Sequence, residues 1–71
     1  MLKYTIIIEK AKNNFSAYCP DLSGCVATGS TIEETVERMK EAILFHIEGL
    51  KKENLPIPKP STQIVSIEIP A

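Results

Sequence analysis

"STIEETVERMKEAILFHIEGLKKEN", residues 30–54, decides the fold. Thr31 followed three positions later by Glu34 has the spacing of a capping box, in which hydroxyl and carboxylate satisfy amide donors that the first helical turn leaves free. Ile32, Val36, Met39, Ile43, Ile47 and Leu50 then recur at steps of three and four, forming one apolar stripe. Glu33, Glu34 and Glu37 crowd the first turns and Lys51 and Lys52 the last, so each charge opposes the helix dipole end beside it. Gly49 weakens the final turns by about 1 kcal/mol relative to alanine. Asn54 suits a terminal cap, and Pro56 forbids continuation. One amphipathic helix is expected here.

Three strands are expected before it. "LKYTIIIE" (2–9) is rich in β-branched and aromatic residues, with Leu2, Tyr4, Ile6 and Ile8 on one face and Lys3, Thr5 and Ile7 on the other. Its Ile6-Ile7-Ile8 run puts apolar surface on both faces. "KAKNN" (10–14) reads as a hairpin turn, because asparagine tolerates positive φ. "FSAYC" (15–19) and "CVATG" (25–29) are the next strands, joined by the Pro20–Gly24 corner. After the helix, "LPIPKPST" (55–62) is an extended connector fixed by three prolines. "QIVSIEI" (63–69) is a final strand with Val65, Ile67 and Ile69 inward and Ser66 and Glu68 outward. The order is β-β-β-α-β: an α+β fold in which an antiparallel sheet carries one helix on one face, within a single domain spanning 1–71. A lone helix covers one face only, so the other must be polar or hidden by association.

Size and composition narrow the function. At 71 residues a domain buries only about 60% of its unfolded surface, which leaves a solitary monomer marginal. The net charge of −1 gives no general attraction to nucleic acid, and Tyr4, Phe15, Tyr18 and Phe45 are too few for a base-stacking platform. No apolar run approaches the roughly 20 residues that cross a bilayer. The N-terminal stretch lacks the pattern of a secretion signal. A cytoplasmic location with reduced thiols is expected.

Several residues could carry chemistry. Cys19 and Cys25 flank the corner, but two thiols fall short of a zinc site, and no basic residue lies close enough in sequence to activate either. They read as inert packing. Asp21 lacks the second carboxylate at fixed separation that glycoside hydrolysis needs; it reads as a turn former, with partner contact as the competing role. His46, the sole histidine, flanks the apolar stripe without a ligating neighbour. Lys10 and Lys12, and Lys51, Lys52 and Lys59, read as solvated charge rather than a phosphate track. No phosphate loop, nucleophile elbow or dinucleotide fingerprint is present. No catalytic set, metal or cofactor is therefore expected. Leu44 and Phe45 lie off the stripe, which leaves room for a self-association surface.

The stretch from Phe15 to Ser61 resembles the N-terminal domain of HicB-family antitoxins, the partners of HicA toxins. The matching features are the aromatic-led strand, Pro20-Asp21-Leu22, Gly24-Cys25, Gly29, Thr31, Glu33-Glu34, Ala42-Ile43, Gly49-Leu50 and Pro56 with Pro58. The resemblance spans about residues 3–69; Ser23 and Thr35 depart from the proline and alanine the family often carries there. It implies a partial ribonuclease-H-like fold without the nuclease's metal-binding acids. It also implies an oligomer that occludes the active site of HicA, a small basic mRNA interferase. DNA-binding modules occur C-terminal to this domain in many members; here the sequence stops at Ala71, so direct DNA binding is not expected. On this reading the partner surface comprises Asp21, Leu22, Glu33, Glu34, Glu37 and Phe45. The acidic groups would steer a basic partner, although a dipole-matched helix start explains the glutamates equally well. The alternative function is a stand-alone, self-assembling structural or regulatory module.

Overall fold

The computed structural model describes all 71 residues. Strands β1 (Ile7–Lys10), β2 (Phe15–Tyr18) and β3 (Val26–Gly29) precede helix α1 (Ile32–Lys52). The sheet order is β1-β2-β3, antiparallel throughout, with Ile8 opposite Ala17 and Ala17 opposite Ala27. This is the α+β arrangement expected for the first four elements. The 11–14 turn is closed by the Ala11 N–H donating to the Asn14 carbonyl.

β1 is shorter than expected, beginning at Ile7 rather than residue 2. The cause lies in its partner. Ile7 pairs with Tyr18, the last residue of β2; beyond it the chain bends at Pro20, so residues 2–6 have no strand opposite them.

The larger difference is at the other end. The segment 63–69 is extended but joins no ladder, and Ile64, Val65, Ile67 and Ile69 are 74–77% exposed. The expected fourth strand, with Val65, Ile67 and Ile69 inward, does not form within this chain. Alternation specifies which face a strand would bury, but a strand exists only where an edge receives its backbone groups.

The helix covers β3 and β2 chiefly. Gly29 sets the approach: a Cβ there would lie 2.5 Å from Thr35 Oγ1 and 2.8 Å from the Thr35 nitrogen. That contact rotates the buried face relative to the stripe read from the sequence. Thr35 and Met39 are fully buried, whereas Ile32 and Val36 stand on the flank, 48% and 39% exposed. The Thr35 hydroxyl donates to the Thr31 carbonyl at 2.7 Å, so its burial leaves no polar atom unmatched. Met39 joins Ala17, Cys19, Leu22 and Cys25 in the core, with Tyr4, Ile6, Ile8, Ala27, Ala42 and Ile43 packed around them.

Both helix ends follow the sequence signals. Thr31 Oγ1 accepts from the Glu34 N–H at 3.0 Å, and the Glu34 carboxylate accepts from the Ser30 N–H at 2.7 Å, one residue further back than the usual capping box. At the other end Asn54 adopts φ 55°, with the Leu55 N–H donating to the Leu50 carbonyl and the Asn54 N–H to that of Lys51. This is a Schellman closure, with asparagine in the left-handed position.

Candidate interaction surface

The corner between β2 and β3 is a compact loop. The Cys19 N–H donates to the Cys25 carbonyl across its mouth, Leu22 N–H to Cys19, and Cys25 N–H to Leu22. Gly24, at φ 78°, supplies the left-handed residue that closes it. The loop drives Leu22 into the core, where it is 1% exposed. Leu22 was expected among the partner contacts; its burial removes it from any surface, because the only apolar side chain of the corner is worth most out of water.

Cys19 and Cys25, joined by the backbone hydrogen bond across the loop's mouth, are both buried and unbridged. Burial, and then the neighbouring Cys19, push the Cys25 thiol above its ordinary value, the opposite of what a nucleophile needs. No three His, Cys, Asp or Glu side chains converge.

Asp21 is committed within the chain. Its Oδ2 accepts from the Ser61 and Thr62 N–H groups at 3.1 and 3.2 Å, and its Oδ1 accepts from the Ser61 hydroxyl at 3.0 Å. Partial desolvation opposes the charge, but the hydrogen bonds from Ser61 and Thr62 outweigh it and hold the carboxyl below its ordinary value. The aspartate therefore clamps the proline connector to the corner, and the Tyr4 hydroxyl adds a second tie by donating to the Pro58 carbonyl. Nothing in the spacing of Asp21 and Ser61, forty residues apart, signals this contact.

The three helix glutamates separate in role. Glu34 serves the cap and pairs with Arg38 at 3.7 Å. The Ser30 hydrogen bond first, and then the Arg38 charge, lower its carboxyl from the ordinary value. Glu33 and Glu37 are exposed, with no hydrogen-bond or ion-pair partner within the chain. They do not lie beside Asp21: Gly24 and Cys25 line a groove with Ala42, Phe45 and Gly49, so the corner packs against the second half of the helix. Phe45 is twelve residues beyond Glu33, or about 18 Å along the axis.

Two apolar depressions remain. The first, about 460 Å³, lies between the corner and the helix end, with Val26, Phe45, His46, Leu50 and Leu55 on its walls. Phe45 overhangs it at 79% exposure, and His46 is half-buried in its wall. The second, about 310 Å³, lies between residues 2–6 and the helix flank. On the uncovered sheet face, Ile7, Tyr18 and Val26 form a cross-strand apolar row, with Glu9, Ser16 and Thr28 as the polar row beside it. Sequence reasoning noted that the Ile6-Ile7-Ile8 run is apolar on both faces and that 63–69 alternates, but it assigned neither this row nor the 63–69 residues to an exposed surface.

This geometry has known counterparts. The model of the HicB-like antitoxins of bacterial toxin-antitoxin systems matches residues 4–69. The UPF0150 protein ssr1765 of Synechocystis sp. is 42% identical over 57 residues, which cover 79% of this chain and 72% of that protein. The UPF0150 protein Ta0767 of Thermoplasma acidophilum is 37% identical over 67 residues, 93% of this chain and 97% of its own. Among solved structures, a chain of the HicA3 and HicB3 toxin-antitoxin complex superposes with a TM-score of 0.71 at 37% identity, covering 84% of this chain and 70% of that one. With the family match running over nearly the whole sequence, from residue 4 to residue 69, the chain belongs to the HicB-like antitoxin family.

Proposed function

We propose that this protein is the antitoxin of a type II toxin–antitoxin pair. It neutralises a HicA-like mRNA interferase by direct protein–protein binding and performs no catalysis. Residues 1–71 act as one HicB-like unit in the cytoplasm, where the toxin's mRNA substrate lies, and the antitoxin self-associates there. The observation that carries the reading is the 0.71 superposition, at 37% identity, on a chain of a toxin-antitoxin complex.

The surface chemistry supports that reading. Glu33 and Glu37 are free acidic groups on an exposed helix start, suited to steering a basic partner. Phe45 supplies an aromatic anchor beside an apolar groove, the type of group that carries most of the energy in small interfaces. Asp21, Leu22 and Glu34 contribute indirectly, by holding the corner and the helix start in place.

The test is co-expression with the adjacent small open reading frame, followed by pull-down and growth rescue. A basic partner that co-purifies and is toxic alone supports the proposal. The double substitution Glu33→Gln, Glu37→Gln should slow association at low salt, and Phe45→Ala should speed dissociation. If no neighbouring product binds or is neutralised, the function is that of a self-assembling module without a toxin; if a toxin binds but its kinetics ignore all three positions, the assigned surface is wrong. The exposed apolar residues at 64–69 are the observation that keeps this second reading open.

A further inference from the structure

The molecule exposes more surface than its mass requires. A compact monomer of 7.9 kDa presents about 4,400 Å², whereas this chain presents 5943 Å². The excess exceeds the ~800 Å² that each partner contributes to a standard interface. The radius of gyration is 14.0 Å, against about 11 Å for a compact chain of this length.

The excess concentrates at two places that fit one another. One is the segment 63–69, extended, β-branched and alternating, with its isoleucines and valine 74–77% exposed. The other is the 310 Å³ groove, walled by Leu2, Tyr4 and Ile6 on one side and Val36, Ile43 and Leu44 on the other. The groove lies along residues 2–6, which lead directly into β1 (Ile7–Lys10), and the outer edge of β1 is unpaired because that strand terminates the sheet. Seven residues of strand span about 23 Å, and residues 4–10 offer the same length. The opposite edge is guarded: Arg38 Nη1 donates to the Thr28 carbonyl of β3 at 3.0 Å, the kind of charged cover that blocks strand addition.

We propose that residues 63–69 of a second copy add as a strand to the free edge of β1, with Val65, Ile67 and Ile69 seated in the groove, and that the exchange is reciprocal. The occupant is a second copy because its own tail is held ready for delivery. Asp21 and Tyr4 fix the connector at Ser61, Thr62 and Pro58, and the chain leaves the body directly beyond that clamp. Pro56, Pro58 and Pro60 stiffen the approach. The three prolines also limit the backbone freedom left to lose in the connector when the tail docks. Two identical chains each present one tail and one groove, which closes a two-fold dimer and leaves neither unfilled. This rests on the self-association in the proposed function and specifies its mode.

Sedimentation equilibrium on the full chain and on Ile67→Lys, together with isotope-filtered NOEs in a mixture of labelled and unlabelled copies, tests it. The wild type should have at least twice the 7.9 kDa mass and show contacts between tail methyls of one copy and the Tyr4 ring of the other. Ile67→Lys should sediment as a monomer with unchanged helix content, since the core contains no tail residue. A monomeric wild type overturns the proposal, as do tail contacts confined to one copy or a tail protected only when a toxin is added. A dimer indifferent to Ile67→Lys overturns strand exchange while sparing self-association itself. Toxin pull-down, read separately, decides the antitoxin reading.

Discussion

Gly29→Ala gives the sharpest test of how the helix is seated. The added Cβ would lie 2.5 Å from Thr35 Oγ1, 2.8 Å from the Thr35 nitrogen and 3.0 Å from its Cα. Two of these three atoms are backbone, and Thr35 itself has no exposed surface into which it could swing. The clash is relieved only by lifting the first helical turn off β3, which loosens the Met39 packing one turn further on. Overpacking of this kind costs about 1–3 kcal/mol, and an obstacle made mostly of backbone places the expected loss at about 2–3 kcal/mol. In a domain of this size that lowers Tm by roughly 10–20 °C, measured at one fixed protein concentration because association contributes to apparent stability.

The same geometry predicts a limited rescue. Thr35→Ala removes only the Oγ1 obstacle, so the double variant should recover less than half of the loss. The cycle should show a coupling of about 0.5–1 kcal/mol. Urea denaturation followed by circular dichroism reads both numbers. Gly29→Ala within about 0.5 kcal/mol of wild type, or full recovery in the double variant, would refute the claim that backbone contact sets the helix against the sheet.

Three further outcomes follow from the site geometry. The folded Asp21 carboxyl lies below its ordinary value of 3.8, so its contribution is fully present above that pH and is lost as pH falls through the lower folded value. Asp21→Asn should flatten this acid limb and raise amide exchange at Ser61 and Thr62 at neutral pH; an unaltered limb with unchanged exchange would deny the clamp. Leu22→Ala should cost about 2–5 kcal/mol, whereas Phe45→Ala should leave protomer stability within about 0.5 kcal/mol; equal effects by urea titration would contradict their opposite burial. Cys19 and Cys25 should react with a thiol reagent only at the rate of unfolding and both together, so rapid labelling of either in the native protein would show that the corner is open.

The helix was legible because its signals are local: a cap, a closing asparagine and charges placed within one segment. The hairpin order followed from turn chemistry of the same short range. What escaped was set by contacts between distant residues. Gly29 meeting Thr35 turned the buried face toward Thr35 and Met39, a rotation that the Ile32–Val36–Met39 periodicity could not encode. Leu22 looked like a surface residue of a polar corner until the Cys19–Cys25 backbone pair folded it inward. Asp21 showed its turn-forming character but not its partners, since no local pattern links position 21 to 61. The 63–69 alternation was read as a final strand with its apolar residues inward, and the chain forms no strand there and exposes those residues, because sequence specifies a strand's faces but not the edge that receives it.

These corrections bear on how one small helix could serve two partners. Its flank toward residues 2–6 carries Val36 and Leu44, and its far end carries Phe45 beside Val26 and Leu55. A strand delivered by a second copy would cover the first set and leave the second open, so dimerisation and toxin capture need not compete for surface. The exposed acids Glu33 and Glu37 lie toward the N-terminal end of the helix and Phe45 in its second half, so under the proposed function the groups that would govern approach are separate from the one that would govern residence. Substitutions should therefore sort cleanly. Ile67→Lys should abolish the dimer, Phe45→Ala should shorten the toxin complex's lifetime with the dimer intact, and the two glutamine substitutions should alter only the salt dependence of association. If Phe45→Ala instead dissociates the dimer, the two apolar regions form one interface, and the division of labour assigned to the helix is wrong.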